Sequence, residues 1–189
     1  MKARHIVLFF MFIGLLLVTP TRTYANGTDF REARIVGGGL SLNYTYGYVG
    51  SRSLRVPPVV GYVEIGVHER ITVGPFFGYS RWSYPTRTRT FVNAGVRASF
   101  HLSPFLNEVL DVNIDENEFD IYATMLSGFE LRSYGPSDET AATDFFDNTR
   151  LFLGPVAGLR YNFSDNIGVF SEMGRGALGA LTIGISLHL

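Results

Sequence analysis

The sequence predicts an all-β fold: an eight-stranded antiparallel up-and-down transmembrane β-barrel, preceded by a cleaved signal peptide. Three observations predict it. The first 25 residues have the layout of an export leader. From residue 34 onward, apolar residues recur at every second position in eight runs separated by turn residues. The residues alternating with them are mostly Gly, Ser, Thr and Asn, with few charges.

The leader opens with Lys2 and Arg4, and Ile6 to Val18 carries nothing polar. That apolar run is too short for a spanning helix, which needs roughly 20 residues. Thr23 and Ala25 sit at the −3 and −1 positions of a cut before Asn26, so residues 1–25 read as a signal peptide and 26–33 as a short periplasmic segment. Lys2 is the sole lysine. Without the leader, thirteen basic groups face seventeen acidic ones, a formal charge of −4.

The barrel is expected over 34–189. Its eight segments are Arg34–Tyr46, Pro58–His68, Ile71–Arg81, Thr90–Leu102, Phe119–Arg132, Arg150–Phe163, Ile167–Gly174 and Leu178–Leu189. Each has one apolar face. The second sets Val59, Val63, Ile65 and Val67 against Tyr62, Glu64 and His68. The fourth sets Val92, Val96 and Phe100 against Asn93, Arg97 and His101, and the last sets Leu181, Ile183, Ile185 and Leu187 against Thr182, Gly184 and Ser186. Most segments are near the 9–11 residues that a tilted strand needs to cross a bilayer.

Parity does not say which face points outward. A soluble barrel would bury the apolar set and show the other to water. A coat of Gly, Ser, Thr and Asn with no lysine is poor for that purpose, because soluble surfaces are about 25–35% charged. It suits a narrow lumen, where small residues and a few paired charges fit. Strands in lipid must then close into a barrel to satisfy their backbone groups.

The connections alternate in length. His68-Glu69-Arg70 and Ser164-Asp165-Asn166 are tight, and those after the first, third and fifth segments are long and polar. The long connection 103–118 breaks the alternation. Ser103-Pro104 followed by Phe105, Leu106, Val109 and Leu110 predicts a capped amphipathic helical turn along the membrane edge. Pro75 and Pro155 fall inside strands, where each removes a ladder bond, so a bulge is expected near each.

Composition excludes several functions. The absence of cysteine removes disulfides, thiolate zinc sites, a cysteine nucleophile and a lipoprotein anchor. Near-neutral charge leaves no footprint for nucleic acid.

The phrases Ile71-Thr-Val-Gly-Pro-Phe-Phe-Gly-Tyr, Ala94-Gly-Val-Arg-Ala-Ser-Phe-His-Leu, Phe119-Asp-Ile-Tyr-Ala and Leu181-Thr-Ile-Gly-Ile-Ser-Leu-His-Leu resemble the small eight-stranded outer-membrane barrels. These are the OmpX and OmpA transmembrane-domain group and the outer membrane beta-barrel domain proteins of the Bacteroidota. The resemblance covers all of the chain after the leader. It implies an outer-membrane location, lipid and lipopolysaccharide as surroundings, a monomer, and a structural or surface-interaction role without shared catalytic residues. It also implies that the barrel-assembly machinery reads the final strand, where Thr182, Gly184, Leu187 and Leu189 hold the matching positions, with leucines in place of the two aromatics.

Glu64, Arg97, Glu130, Arg160 and Glu172 fall on the lumen parity of five strands. Glu64, Arg97 and Glu172 lie at similar heights, Arg160 is one step nearer the periplasm, and Glu130 is higher beside Arg132. The plain expectation is a plug of ion pairs, since a lone buried charge is costly. A proton path or gate is the alternative.

His68, His101 and His188 share the lumen parity without a spacing that forces metal-ligand convergence, so no metal or cofactor is expected. His101-Leu-Ser103 resembles the His-x-Ser of outer-membrane lipid A deacylases, but Pro104 replaces their asparagine. The alternative it opens is a lipid A-modifying enzyme, against a helix cap for Ser103. Asp111-Val-Asn113-Ile-Asp115 starts like an EF-hand loop, and Glu116 and Tyr122 then break the pattern. Arg81, Arg87 and Arg89 flank Trp82 and Tyr84 in the second outer loop, candidates for contact with lipopolysaccharide phosphates. A soluble, secreted, lipocalin-like ligand-binding barrel remains a third reading.

Overall fold

A computed structural model describes residues 30–31, 33–42, 54–83, 85, 88–135 and 149–189. The expected leader and residues 26–29 lie outside the described residues, as do 43–46 of the first segment and Arg87.

Eight strands form one closed antiparallel barrel in chain order. They are β1 (Arg34–Leu42), β2 (Leu54–His68), β3 (Ile71–Ser83), β4 (Thr88–His101), β5 (Phe119–Gly135), β6 (Thr149–Ser164), β7 (Ile167–Gly174) and β8 (Leu181–His188). Closure comes from β1 against β8, in continuous register from Ile35↔His188 to Leu42↔Leu181. The two tight turns, at 69–70 and 165–166, stand where expected.

The faces divide as the alternation demands, and the apolar set points outward. Leu151 and Met173 are 67% and 68% exposed, and Val96, Met125, Leu153, Ile183 and Ile185 join them on the exterior. Glu64 and Arg160 are 0% exposed and line the interior with Thr72, Asn93, Ser99 and Ser186. An eight-strand bore is just wide enough for side chains to fill. The aromatic residues that fill it need close partners. The Tyr62 ring lies over its cross-strand partner Gly37, and the Tyr122 ring over Gly158; a Cβ at either glycine would collide with the ring. Tyr62, Phe76, Leu126, Phe152, Val156 and Phe170 form the main apolar cluster inside.

Both prolines are accommodated without bulges. The β3–β4 register runs unbroken through Pro75↔Val96, and the β5–β6 register through Met125↔Pro155. On the other side of Pro75, β2 and β3 are paired at Tyr62↔Phe76 and again at Ile65↔Val73, with a gap between and no shift. Pro155 lies just past the last β6–β7 pair, Val156↔Gly174, so the missing donor falls where β7 ends. Gly174 turns the chain there with φ 143°, and Arg175 N–H bonds to the Pro155 carbonyl at 2.9 Å. A gap in pairing therefore solves the problem that a bulge would have solved.

Three further expectations are corrected. A register shift between Gly66 and His68 releases His68 from the lumen parity and leaves it exposed. The eighth strand starts at Leu181, not Leu178. A Gly176 N–H to Gly179 carbonyl bond of 3.0 Å turns 175–180 across the barrel mouth, and Leu178 is buried against Trp82 and Phe91. The connection 103–118 does contain a helix, α1 (Ser103–Leu110), but Ser103 does not cap it. Leu102 is the N-cap, without a side-chain bond, and the Ser103 hydroxyl accepts the Ile121 N–H at 2.7 Å, anchoring the start of β5 instead.

Candidate functional site

The lumen carries two charged groups, one near the end where β1 begins and β8 finishes, here called the terminal end, and one near the loop end. The first is built by strand parity. Glu64 on β2, Arg97 on β4 and Glu172 on β7 point into the bore at one level. Arg97 Nε donates to Glu64 Oε1 at 2.9 Å and its terminal nitrogen to Glu172 Oε1 at 2.7 Å. Ser99 donates to Glu64, and the Tyr122 hydroxyl to Glu172 Oε1 at 3.0 Å. The Arg97 guanidinium lies 3.7 Å from the Tyr62 ring centroid, a cation–π contact.

One step toward the termini, Arg160 donates to Asp120 Oδ2 at 2.6 Å and stands 3.9 Å from Glu64 Oε2. Asp120 also meets His101 Nδ1 at 2.9 Å. The ring's other nitrogen is 3.1 Å from the Thr72 hydroxyl. Phe30, from the segment before β1, stacks on His101 at 3.6 Å and covers this end. Three carboxylates and two guanidiniums thus form one continuous buried network, with a histidine at its edge.

Of the residues named from sequence, Glu64, Arg97, Glu172 and Arg160 are brought together. Glu130 is not. It pairs at the loop end with Arg132 (Nε to Oε1, 2.6 Å) and with Arg150 (2.8 Å). Asp120 was missed, although it shares the inward parity of Tyr122 and Thr124 in the same phrase. Tyr62, Tyr122 and Ser99, which complete the network, carry no charge to draw attention to them.

Of the arginines expected in the second outer loop, the two described ones, Arg81 and Arg89, do not gather. Arg81 and Arg89 both lie within strands, not in a loop. Arg81 pairs with Thr90 and Arg89 with Trp82, so the two arginines occupy opposite faces, and Trp82 points inward at 3% exposed.

Chemically, the terminal end offers an acid–base–hydroxyl chain, Asp120–His101–Thr72. Thr72 and His101 are both 0% exposed, so the hydroxyl is closed off from solvent. Ser103 is held by β5, away from that role. Among the described residues no three His, Asp or Glu side chains gather as a metal site. The acidic stretch 111–118 is mostly exposed and is tied down by Asn107, whose side chain bonds both ways to Ile114, at 2.7 and 2.8 Å.

The loop end is more open. A cavity of about 420 Å³ is lined there by Glu130, Arg132 and Arg150, by Phe91, Asn93 and Phe152, and by the 174–180 connection.

No protein-family model matches the sequence, and no curated protein matches it. Solved structures do. The N-terminal β-barrel domain of Pseudomonas aeruginosa OprF matches over 85% of this chain and 99% of its own, with 10% identity and a TM-score of 0.49. The Yersinia pestis outer membrane protein Ail in a phospholipid bilayer nanodisc matches over 84% and 99%, at 12% identity and 0.49. Pseudomonas aeruginosa OprG matches over 86% and 98%, at 11% identity and 0.45. The chain is similar to small eight-stranded outer-membrane barrels, and the likeness is one of architecture.

Proposed function

We propose that this protein is an integral outer-membrane β-barrel, exported by a signal peptide over 1–25, with a structural or surface-interaction role and no catalysis. The observation that carries the reading is the inversion of faces. The exterior of the strands is a belt of Val, Leu, Ile, Met and Phe, while the interior holds five charged groups in one network. In water such a belt would far exceed the apolar patches of a few hundred Å² that soluble monomers tolerate. In a bilayer it meets acyl chains instead of water, and closure of the barrel gives the strand backbones their partners.

The filled bore supports a barrel without steady conductance. Its partners are then outer-membrane lipids and whatever meets the outer loops, with the barrel-assembly machinery acting during insertion. Arg81, on the exterior near the loop end alongside Tyr79, suits lipopolysaccharide phosphates at headgroup level.

The test is heat modifiability combined with fractionation. The mature protein is expected to stay with the outer membrane after alkaline carbonate washing. It should also migrate differently on a detergent gel before and after boiling. A soluble fraction with identical migration would overturn the proposal.

A further inference from the structure

The loop-end cavity has features that the ion-pair plug does not need. We propose that it is a binding site for a small phosphorylated sugar taken from solution.

The chemistry follows from four parts of the wall. Arg132 and Arg150 both spend their Nε–H on a single oxygen, Glu130 Oε1, at 2.6 and 2.8 Å. One carboxylate is thereby covered by two guanidiniums, and Arg175 in the 174–180 connection adds a third cation to the lining. Among the described lining residues three guanidiniums stand with one carboxylate, a balance that favours an anion. Arginine suits phosphate because it presents paired N–H groups in a plane. The Arg150 side chain is 54% exposed, so the cavity is reachable from solvent.

Asn93 supplies the second feature. It is 2% exposed and lines the cavity, and its Oδ1 has no hydrogen-bond partner among the described residues. A buried acceptor without a partner is costly, and a ligand hydroxyl would satisfy it. Third, the Phe91 and Phe152 side chains give apolar walls of the kind that pack against the C–H face of a sugar ring. Fourth, Gly174, Gly176, Ala177, Gly179 and Ala180 leave the opposite wall almost bare of side chains. The cavity exists because that connection, while Leu178 plugs toward Trp82, contributes only Arg175 as a further long side chain. At about 420 Å³ it sits in the lower part of the roughly 300–1,000 Å³ range of small-molecule pockets.

Phosphorylated sugars come both as free solutes and as lipid headgroups. The cavity lies inside the strand wall, where an acyl chain cannot follow, which favours the free solute.

The experiment is a titration of the refolded barrel, in detergent micelles, followed by amide resonances with glucose 1-phosphate as probe. Saturable shifts are expected at Gly174, Gly176 and Gly179 and at the Asn93 side-chain amide. Arg150→Ala and, separately, Arg175→Ala should weaken binding about tenfold or more, the loss of a charge-assisted contact. Both should keep the heat-modifiable migration that reports an intact barrel. Glucose and inorganic phosphate should each bind more weakly than the probe. The proposal is overturned by an absence of saturable shifts, by equal binding in both variants, or by inorganic phosphate matching the sugar phosphate. Shifts with purified lipopolysaccharide and none with glucose 1-phosphate would also overturn it, in favour of the lipid.

Discussion

At the level of Arg97 the bore is packed solid, whereas at the level of Glu130 it is partly empty, although both levels use the same residue types. The difference lies in what stands opposite. Around Arg97 the facing strands supply Tyr62, Tyr122 and Phe170, which exclude water from the ion pairs. Around Glu130 the wall is uneven. β5 and β6 run to 17 and 16 residues, while β7 and β8 have 8 each. Above β7 and β8 the 175–180 connection, four of whose six residues are glycine or alanine, faces the pair. An ion pair in a dry lumen is costly to break because the remaining charge is stranded, whereas one open to water is worth little. The comparison teaches that charge in this lumen locks the terminal half and lines an accessible space in the loop half.

The largest effect expected is at Arg97. Arg97→Ala leaves Glu64 and Glu172 buried without their shared cation, a situation that typically costs about 3–5 kcal/mol. Urea unfolding of the refolded barrel in lipid vesicles would measure it. Adding Glu64→Ala should cost less than the two single changes combined, because the pair is coupled. Strictly additive costs would mean that the network does not act as a unit, and the contrast between the two levels would fail.

Next comes the outer face at the same height. Val96 is 51% exposed on the exterior, one residue from the network. Val96→Arg should destabilise the inserted barrel by about 2–4 kcal/mol if that face meets the bilayer midplane. An unchanged unfolding curve in vesicles would mean that the apolar belt does not face lipid.

The loop half has its own apolar anchor. Leu178 is 5% exposed between Trp82 and Phe91 and holds the 175–180 connection across the mouth. Leu178→Ala should cost about 2 kcal/mol, the low end for such truncations, because the neighbouring cavity lets water relax into the space. It should also speed hydrogen exchange at Gly176 while leaving Arg97-level amides protected. Faster exchange at both levels would join the two halves into one cooperative unit.

Much of this was legible in the sequence. Period-two alternation set eight segments, and their ends differ from the strands by a few residues where described. Composition chose the inside, since Gly, Ser and Thr cannot coat a soluble protein. The heights of Glu64, Arg97 and Glu172 followed from counting, because antiparallel register with tight turns carries position from strand to strand. What failed depended on contacts between distant residues. His68 leaves the lumen at a register shift that alternation does not encode. The prolines are absorbed by gaps in pairing that depend on where neighbouring strands end. Leu178 reads as the first residue of a strand, yet the glycine turn at 176–179 directs it inward. Ser103 looks like a helix cap, but it is the first residue of the helix, and its hydroxyl's partner, Ile121, lies 18 residues away.

The smallest effect should come from Glu130, and its smallness is what sharpens the comparison. Among the described residues Glu130 has two arginine partners, Arg132 and Arg150, where Glu172 has Arg97, so the number of partners alone would rank it above Glu172. Its partner Arg150 is 54% exposed, however, and solvent takes over whatever the carboxylate gives up. Glu130→Gln should therefore shift stability by about 1 kcal/mol or less, while Glu172→Gln, whose partner Arg97 is 3% exposed, should cost several times more. The same urea series measures both. Equal losses would mean that the cavity is dry, and that the loop half is a second lock instead of an open chamber.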